Sequence, residues 1–181
     1  MKERDIPLHT KREMQHVDPD SKIVYFKGEG DAKSSYDRLV AVPPHSTCEA
    51  VRTSALAKDG PWIPVDRHTM SSYDDVYAVG DVTKIPTPPG HVPFLPKAGV
   101  FAEGQAKVAA QNIISGLAGG ETARWNGYGI CFLETEYGKG GMVRGNFYGE
   151  GPPEIKMKSP GRLWHWGKVL FERRWLGTLF R

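Results

Sequence analysis

Cysteine is nearly absent, with Cys48 and Cys131 alone among 181 residues. Two are too few for the disulfide framework of a small secreted scaffold. No apolar run approaches the roughly 18 residues that a membrane-spanning helix needs. Met1-Lys2-Glu3-Arg4-Asp5 lacks the apolar core of a signal peptide, so a soluble, cytoplasmic chain is expected. Charge of one sign is also lacking: 24 Lys and Arg face 21 Asp and Glu, a net +3. That balance argues for no nucleic-acid partner. No Gly-x-Ser-x-Gly elbow, phosphate-binding loop or Gly-x-Gly-x-x-Gly turn occurs. His45 and Cys48 have the spacing of two metal ligands, but no second pair lies nearby to complete a site, and no metal is expected. Gly and Pro make up about a fifth of the chain, loop-rich but below the range of about 25–30% typical of disorder.

What charge there is lies unevenly. Residues 155–181 hold seven basic side chains (Lys156, Lys158, Arg162, Lys168, Arg173, Arg174, Arg181) against the single acid Glu172, and three of the five tryptophans. Basic groups interleaved with Trp, Phe and Leu suit a membrane surface. On a helical wheel, however, the apolar residues of Leu163 to Phe180 spread almost all round. Two short helices, or an aromatic cluster docked on the core, are the alternatives.

Along the chain, His16 to Ser21 carries turn chemistry and Lys22 to Phe26 reads as a strand. Gly28-Glu29-Gly30-Asp31 makes the next turn, and Leu39-Val40-Ala41-Val42 reads as a buried strand stopped by Pro43-Pro44. A short helix is expected over Glu49 to Ala57, with strands at Trp62 to Asp66 and Val76 to Val79. One long helix runs from Lys97 to Ala118 and closes at Gly119-Gly120, with a stripe at Ala102, Ala106, Ala109, Ile113 and Leu117. Its first turn leaves backbone N–H groups free to face an anion or a partly negative ring. Ile130 to Glu134 and Met142 to Tyr148 read as strands paired across Gly138–Gly141.

The motif richest in chemistry is Val76-Tyr77-Ala78-Val79-Gly80-Asp81-Val82. A strand leads into a glycine that permits close approach, and then into a carboxylate able to accept from ribityl or ribose hydroxyls. Alone it equally describes a plain turn. Sixteen residues on, Lys97-Ala98-Gly99-Val100-Phe101-Ala102 opens the long helix. Together the two resemble the second cofactor motif of the FAD-dependent pyridine nucleotide-disulfide oxidoreductases, and within them the sulfide:quinone oxidoreductase-like group. Tyr36 to His45 resembles the end of the second dinucleotide-binding domain. Trp62 to Asp66, the Gly80-Asp81 strand and Leu95 to Ala110 resemble the return into the FAD domain. Gly129 to Glu134 and Trp166 to Glu172 resemble the C-terminal part.

The resemblance implies an α/β, partial FAD/NAD(P)-binding Rossmann-like fold. It is the C-terminal half of a flavoprotein with two dinucleotide-binding domains, beginning inside the second. Residues 1–45 would end that domain, 46–122 would belong to the FAD domain, and 123–181 would form a strand pair and a basic aromatic tail. Asp81 and Gly80 would meet the ribityl chain of FAD, and Lys97, Ala98 and Gly99 the flavin ring. Cys131 would serve sulfur chemistry as a thiolate; its bland alternative is a small hydrophobe in a strand. Electrons would pass from sulfide or NAD(P)H through FAD to quinone, at the surface of the cytoplasmic membrane. The Gly-rich pyrophosphate turn of the family is not in this sequence. A partner supplying the missing N-terminal half, or a homo-oligomer, is therefore expected, and tight FAD binding by this chain alone is not. The rival reading is a non-catalytic binding or assembly module that keeps half of the fold without the cofactor.

Overall fold

Asp18 organises the first turn of the protein. In the computed structural model, which describes residues 5–28, 32–57, 60–87, 95–149 and 152–180, Asp18 Oδ1 accepts the backbone N–H groups of Asp20 at 3.0 Å and Ser21 at 3.2 Å. Its Oδ2 accepts the Ser21 hydroxyl at 2.6 Å. These bonds, the Ser21 hydroxyl first, hold the Asp18 carboxyl below the usual aspartate range. The turn joins β1 (Arg12–Asp18) to β2 (Ile23–Gly28), and β3 (Lys33–Ser35) completes an antiparallel meander. His16 stacks on Tyr25 across the ladder, ring centroids 4.3 Å apart.

That meander lies in the first of two units, Met1–His45 and Ser46–Arg181. The expected turn at 28–31 falls on residues 29–31, outside the described residues, as do Met1 to Arg4 and Arg181. Leu39–Val42 corrects the sequence reading. It forms no strand, and Val40 and Val42 are 93% and 78% exposed. A strand apolar on both faces needs neighbours on both, and the described sheet of this unit ends at β3.

The second unit contains α1 (Glu49–Arg52), β4 (Ile63–Pro64), β5 (Ser71–Tyr73), β6 (Val76–Tyr77), a 3₁₀ turn (Gly80–Val82) and β7 (Thr83–Lys84). Then follow α2 (Gly99–Ala118), β8 (Tyr128–Glu136), β9 (Lys139–Asn146), β10 (Glu154–Gly161) and α3 (Arg162–Leu179). Helix and sheet are mixed, as expected. The helix at 49–57 shrinks to one turn, and the strands at 62–66 and 76–79 shrink to two residues each. Parallel pairing among the described residues is confined to Ile63–Pro64 against Thr83–Lys84. Pro61, Pro64 and Pro86 lack donors, so a longer ladder cannot form there.

The C-terminal sheet is antiparallel, ordered β10-β9-β8. Tyr137 (φ 23°) and Gly138 (φ 71°) form the two-residue turn between Glu136 and Lys139, the hairpin geometry that matches strand twist. Gly140 and Gly141 lie inside β9 rather than in the turn. A side chain on Gly140 would crowd the backbone of His165 where α3 crosses. β10 was not foreseen, because its alternating lysines read as part of a basic tail. The tail itself is one continuous helix without a buried residue, not two short helices, and it docks on the sheet with Phe171 against Phe132.

α2 also departs from the expected stripe. Its buried residues are Phe101, Gln105, Ala109 and Asn112, while Ala106, Ile113 and Leu117 are exposed. Two of the four are amides. Asn112 Nδ2 donates to the carbonyls of Thr69 at 3.2 Å and Ala123 at 3.1 Å, and its Oδ1 accepts the Ala123 N–H at 2.7 Å. Around this face lie Ile63, Val65, Met70, Ala78, Ile85, Leu95, Trp125 and Phe147.

Replacing Asn112 with Ala is expected to destabilise the chain by about 2–4 kcal/mol, because buried carbonyls and an N–H lose their partner together. Urea unfolding of N112A measures this; a change below about 0.5 kcal/mol, the scale of an ordinary surface substitution, would show that the three bonds anchor nothing.

Candidate functional site

The approach to the site begins at β6, whose two residues lead through Ala78 and Val79 into Gly80. Gly80 has φ +73°, and a Cβ there would come within 3.3 Å of Ala102 on α2. Glycine is thus required by conformation and by the closeness of the helix. The Gly80 N–H donates to Gln105 Oε1 at 2.7 Å, and the Thr83 hydroxyl donates to the Gly80 carbonyl at 2.7 Å. Held at both ends, the 3₁₀ turn presents Asp81 outward. The Asp81 side chain accepts no hydrogen bond from the described residues.

Beside the turn opens a cavity of about 540 Å³, within the usual range for small-molecule and cofactor sites. Its walls are mostly apolar, with Trp62, Val65, Ile85, Leu95 and Phe101 among them; Asp81, Thr83, Lys84, Lys97 and Gln105 add polar side chains. Lys97 Nζ donates to the carbonyl oxygens of Asp81 and, at 3.2 Å, of Thr83. The ammonium also sits 3.8 Å from the centre of the Trp62 ring, a cation–π contact. Burial pushes the Lys97 amine below the usual lysine range, and the negative charge of Asp81 opposes that shift.

α2 starts with no side-chain cap and no acid in its first turn. Phe101 and Ala102 N–H groups bond the Ala98 carbonyl. The N–H groups of Gly99 and Val100 have no partner among the described residues, so the positive end of the helix dipole is left open. An aromatic cluster fixes this end. Phe101 meets Trp125 and Phe147 edge-on, with centroids 5.7 and 5.4 Å apart, and Trp125 meets Tyr148 at 5.2 Å. The Tyr148 hydroxyl donates to the Arg67 carbonyl at 2.6 Å, and burial drives its pKa up.

Of the residues singled out from the sequence, Gly80, Asp81, Lys97 and Ala98 converge on one cavity. Gly99 lies at the helix start but outside the lining. Cys131 is half-buried on β8, also outside the lining. On that strand Gly129 packs against Phe101 of α2, and Phe132 against Phe171 of α3. Strand alternation puts Cys131 on the α2-facing side. Sequence reasoning missed Trp62 and Gln105. Trp62 was counted as a strand residue, and Gln105, polar within a helix, carried no signal of burial.

No protein-family model matches the chain. The mitochondrial sulfide:quinone oxidoreductase of Schizosaccharomyces pombe is 31% identical over 142 residues, covering 75% of this chain and 29% of that protein. The mitochondrial sulfide:quinone oxidoreductases of Dictyostelium discoideum and Mus musculus are 27% and 24% identical over 143 and 146 residues. Those matches cover 76% and 77% of this chain, and 30% and 31% of the relatives. The chain carries a sulfide:quinone oxidoreductase-like region. It spans under a third of the length of these curated relatives. Among the described residues, no helix is long and apolar enough to cross a membrane.

A depressed amine reacts at lower pH. Acetylation of Lys97 by acetic anhydride, followed by mass spectrometry across pH 8–11, is expected to show a midpoint below the ordinary lysine value of 10.5. A midpoint at or above 10.5 would mean that the two carbonyls and Trp62 outweigh burial.

Proposed function

We propose that the second unit forms one wall of the flavin site in an FAD-dependent oxidoreductase related to the sulfide:quinone oxidoreductases. The observation that carries this reading is the convergence of Gly80, Asp81, Lys97 and the open start of α2 on a single, mostly apolar cavity. The groups present suit the ring and polyol part of FAD. Asp81 accepts from ribityl hydroxyls. Lys97 and the first turn of α2 place positive charge beside the pyrimidine edge of the ring. Trp62 and Phe101 exclude water. When bound, FAD supplies the two-electron chemistry between a donor, sulfide or NAD(P)H, and a quinone acceptor. The thiol of Cys131 serves sulfur chemistry on the α2 side of β8. The Gly-rich turn for the pyrophosphate, and with it the rest of the Rossmann-like layout, comes from a segment other than these 181 residues, in a longer polypeptide or a partner chain.

The same reading gives α3 a membrane-surface role. Its inner side holds β8 through Phe171 against Phe132, and through His165 Nδ1 and Lys168 Nζ at 3.1 and 3.8 Å from Glu134. Its outer side exposes Leu163, Trp166 and Leu170 at spacings of three and four, followed by Arg173 and Arg174. An apolar stripe beside paired arginines suits an anionic lipid interface. The assembly-module reading draws on the exposed Val40, Val42, Leu133 and Met157, which leave apolar surface for another chain.

In a complex that contains the Gly-rich segment, Asp81→Ala is expected to weaken FAD binding by about 1.5–3 kcal/mol, the range of a charge-assisted hydrogen bond. Flavin fluorescence titration reads this, and equal affinity in the variant would remove Asp81 from the site. Replacing Leu163, Trp166 and Leu170 together with Ser is expected to abolish sedimentation with vesicles containing anionic phospholipid. Wild-type binding is expected to fall as salt shortens the electrostatic reach to about 8 Å at physiological strength. Wild-type protein that ignores such vesicles at low salt would leave α3 a purely structural helix.

A further inference from the structure

Gln105 is only 2% exposed, yet it lines the cavity. Its Oε1 accepts the Gly80 N–H at 2.7 Å, which fixes the orientation of the amide, since only the carbonyl end can accept a backbone donor. Nε2 therefore turns two donor hydrogens elsewhere, and no described residue accepts either. Asn112, two turns further along the same helix face and also buried, makes an instructive contrast. Each end of its amide is bonded, Nδ2 to two carbonyls and Oδ1 to one N–H. Asn112 meets protein alone; Gln105 borders empty space. A buried donor without a partner costs about 1–3 kcal/mol, which a core amide avoids unless something else completes it.

We infer that Gln105 is a ligand-binding residue, whose Nε2 donates to an acceptor oxygen of the molecule filling the cavity while Oε1 holds the Gly80 turn against α2. The surroundings define the occupant's chemistry. Trp62 and Phe101 offer aromatic walls, Lys97 an ammonium and Asp81 an acceptor. The molecule that satisfies all of them has a flat apolar body bearing carbonyl oxygens and a hydroxylated chain. This inference rests on the flavin reading of the cavity. The acceptor for Nε2 is either a ring carbonyl or a ribityl hydroxyl, and riboflavin and lumichrome, which lacks the ribityl chain, tell these apart.

The test uses the full chain, labelled with nitrogen-15, and follows the Gln105 side-chain amide pair by NMR as riboflavin is added. The pair is assigned by its loss in Gln105→Glu or in Gln105→Leu, so one folded variant suffices. The Gln105 pair is expected to shift on saturation, and the Asn112 pair to stay in place. Gln105→Glu and Gln105→Leu are each expected to bind riboflavin about tenfold more weakly, the factor for one ordinary hydrogen bond. A shift with lumichrome as well assigns the acceptor to the ring; a shift with riboflavin alone assigns it to the ribityl chain. Riboflavin binding that leaves the Gln105 pair unmoved, or Gln105→Glu binding as tightly as wild type, overturns the assignment and leaves the flavin reading intact. A wild-type chain that binds no riboflavin removes both. The wild-type NMR measurement stands even if either variant fails to fold.

Discussion

The second unit hangs on two amides buried in one helix. Gln105 and Asn112 lie on the same face of α2, and each bonds the backbone of a segment that forms little regular structure of its own. The stretch from residue 60 to 87 has strands of only two or three residues. Its shape therefore depends on what holds it from outside, because so few ladder bonds restrain it. Asn112 pins Thr69 on one side and Ala123 on the other, and Gln105 pins Gly80. Apolar side chains in those positions would add burial without fixing the height of the turn along the helix, since hydrophobic contact has no direction. Hydrogen bonds supply that direction.

The loop between β4 and β5 is held in the same way. The Asp66 carboxylate accepts the N–H groups of His68 and Thr69 and the Thr69 hydroxyl. Partial burial alone would raise its pKa, yet these donors hold it below the usual range. His68 then bonds Trp125 twice, through its own carbonyl and through Nδ1. Trp125 stands against Gly104 of α2, where any side chain would collide with the indole. Asp66, His68, Trp125 and Gly104 thus form one continuous set of contacts against α2. The cavity exists because this frame sets Trp62 and the Gly80 turn a fixed distance from the start of the helix.

Charge is used sparingly there. Lys84 and Lys97 both line the cavity, and Lys97 is satisfied by two carbonyls and a ring face rather than by a carboxylate at bonding distance. Burial lowers the pKa of this ammonium, and the negative charge of Asp81 opposes that shift. Together with the uncapped start of α2, Lys97 makes one end of an apolar cavity electropositive, while the Asp81 carboxylate accepts no hydrogen bond from the described residues. A cavity with an apolar body, a positive end and a free acceptor discriminates by chemistry as well as shape.

Short-range features were legible without the fold. Asp18-Pro19-Asp20-Ser21 makes its turn through bonds within four residues, α2 ends at Gly119 with φ +72°, and the β8–β9 hairpin follows from glycine beside alternating strands. The Gly80-Asp81 motif and the Lys97-Ala98-Gly99 helix start were paired through a family resemblance, and Gly80, Asp81, Lys97 and Ala98 line one cavity. Burial was different. Leu39–Val42 looked like core and is exposed, whereas Gln105, outside the expected stripe of α2, is buried. Hydrophobicity reports what a residue prefers to bury, but which face of α2 turns inward was decided by partners up to 43 residues away, Thr69 for Asn112 and Gly80 for Gln105. Those bonds are formed with backbone groups, which every residue carries, so no pattern of side chains announces them. Only the tertiary structure could select them.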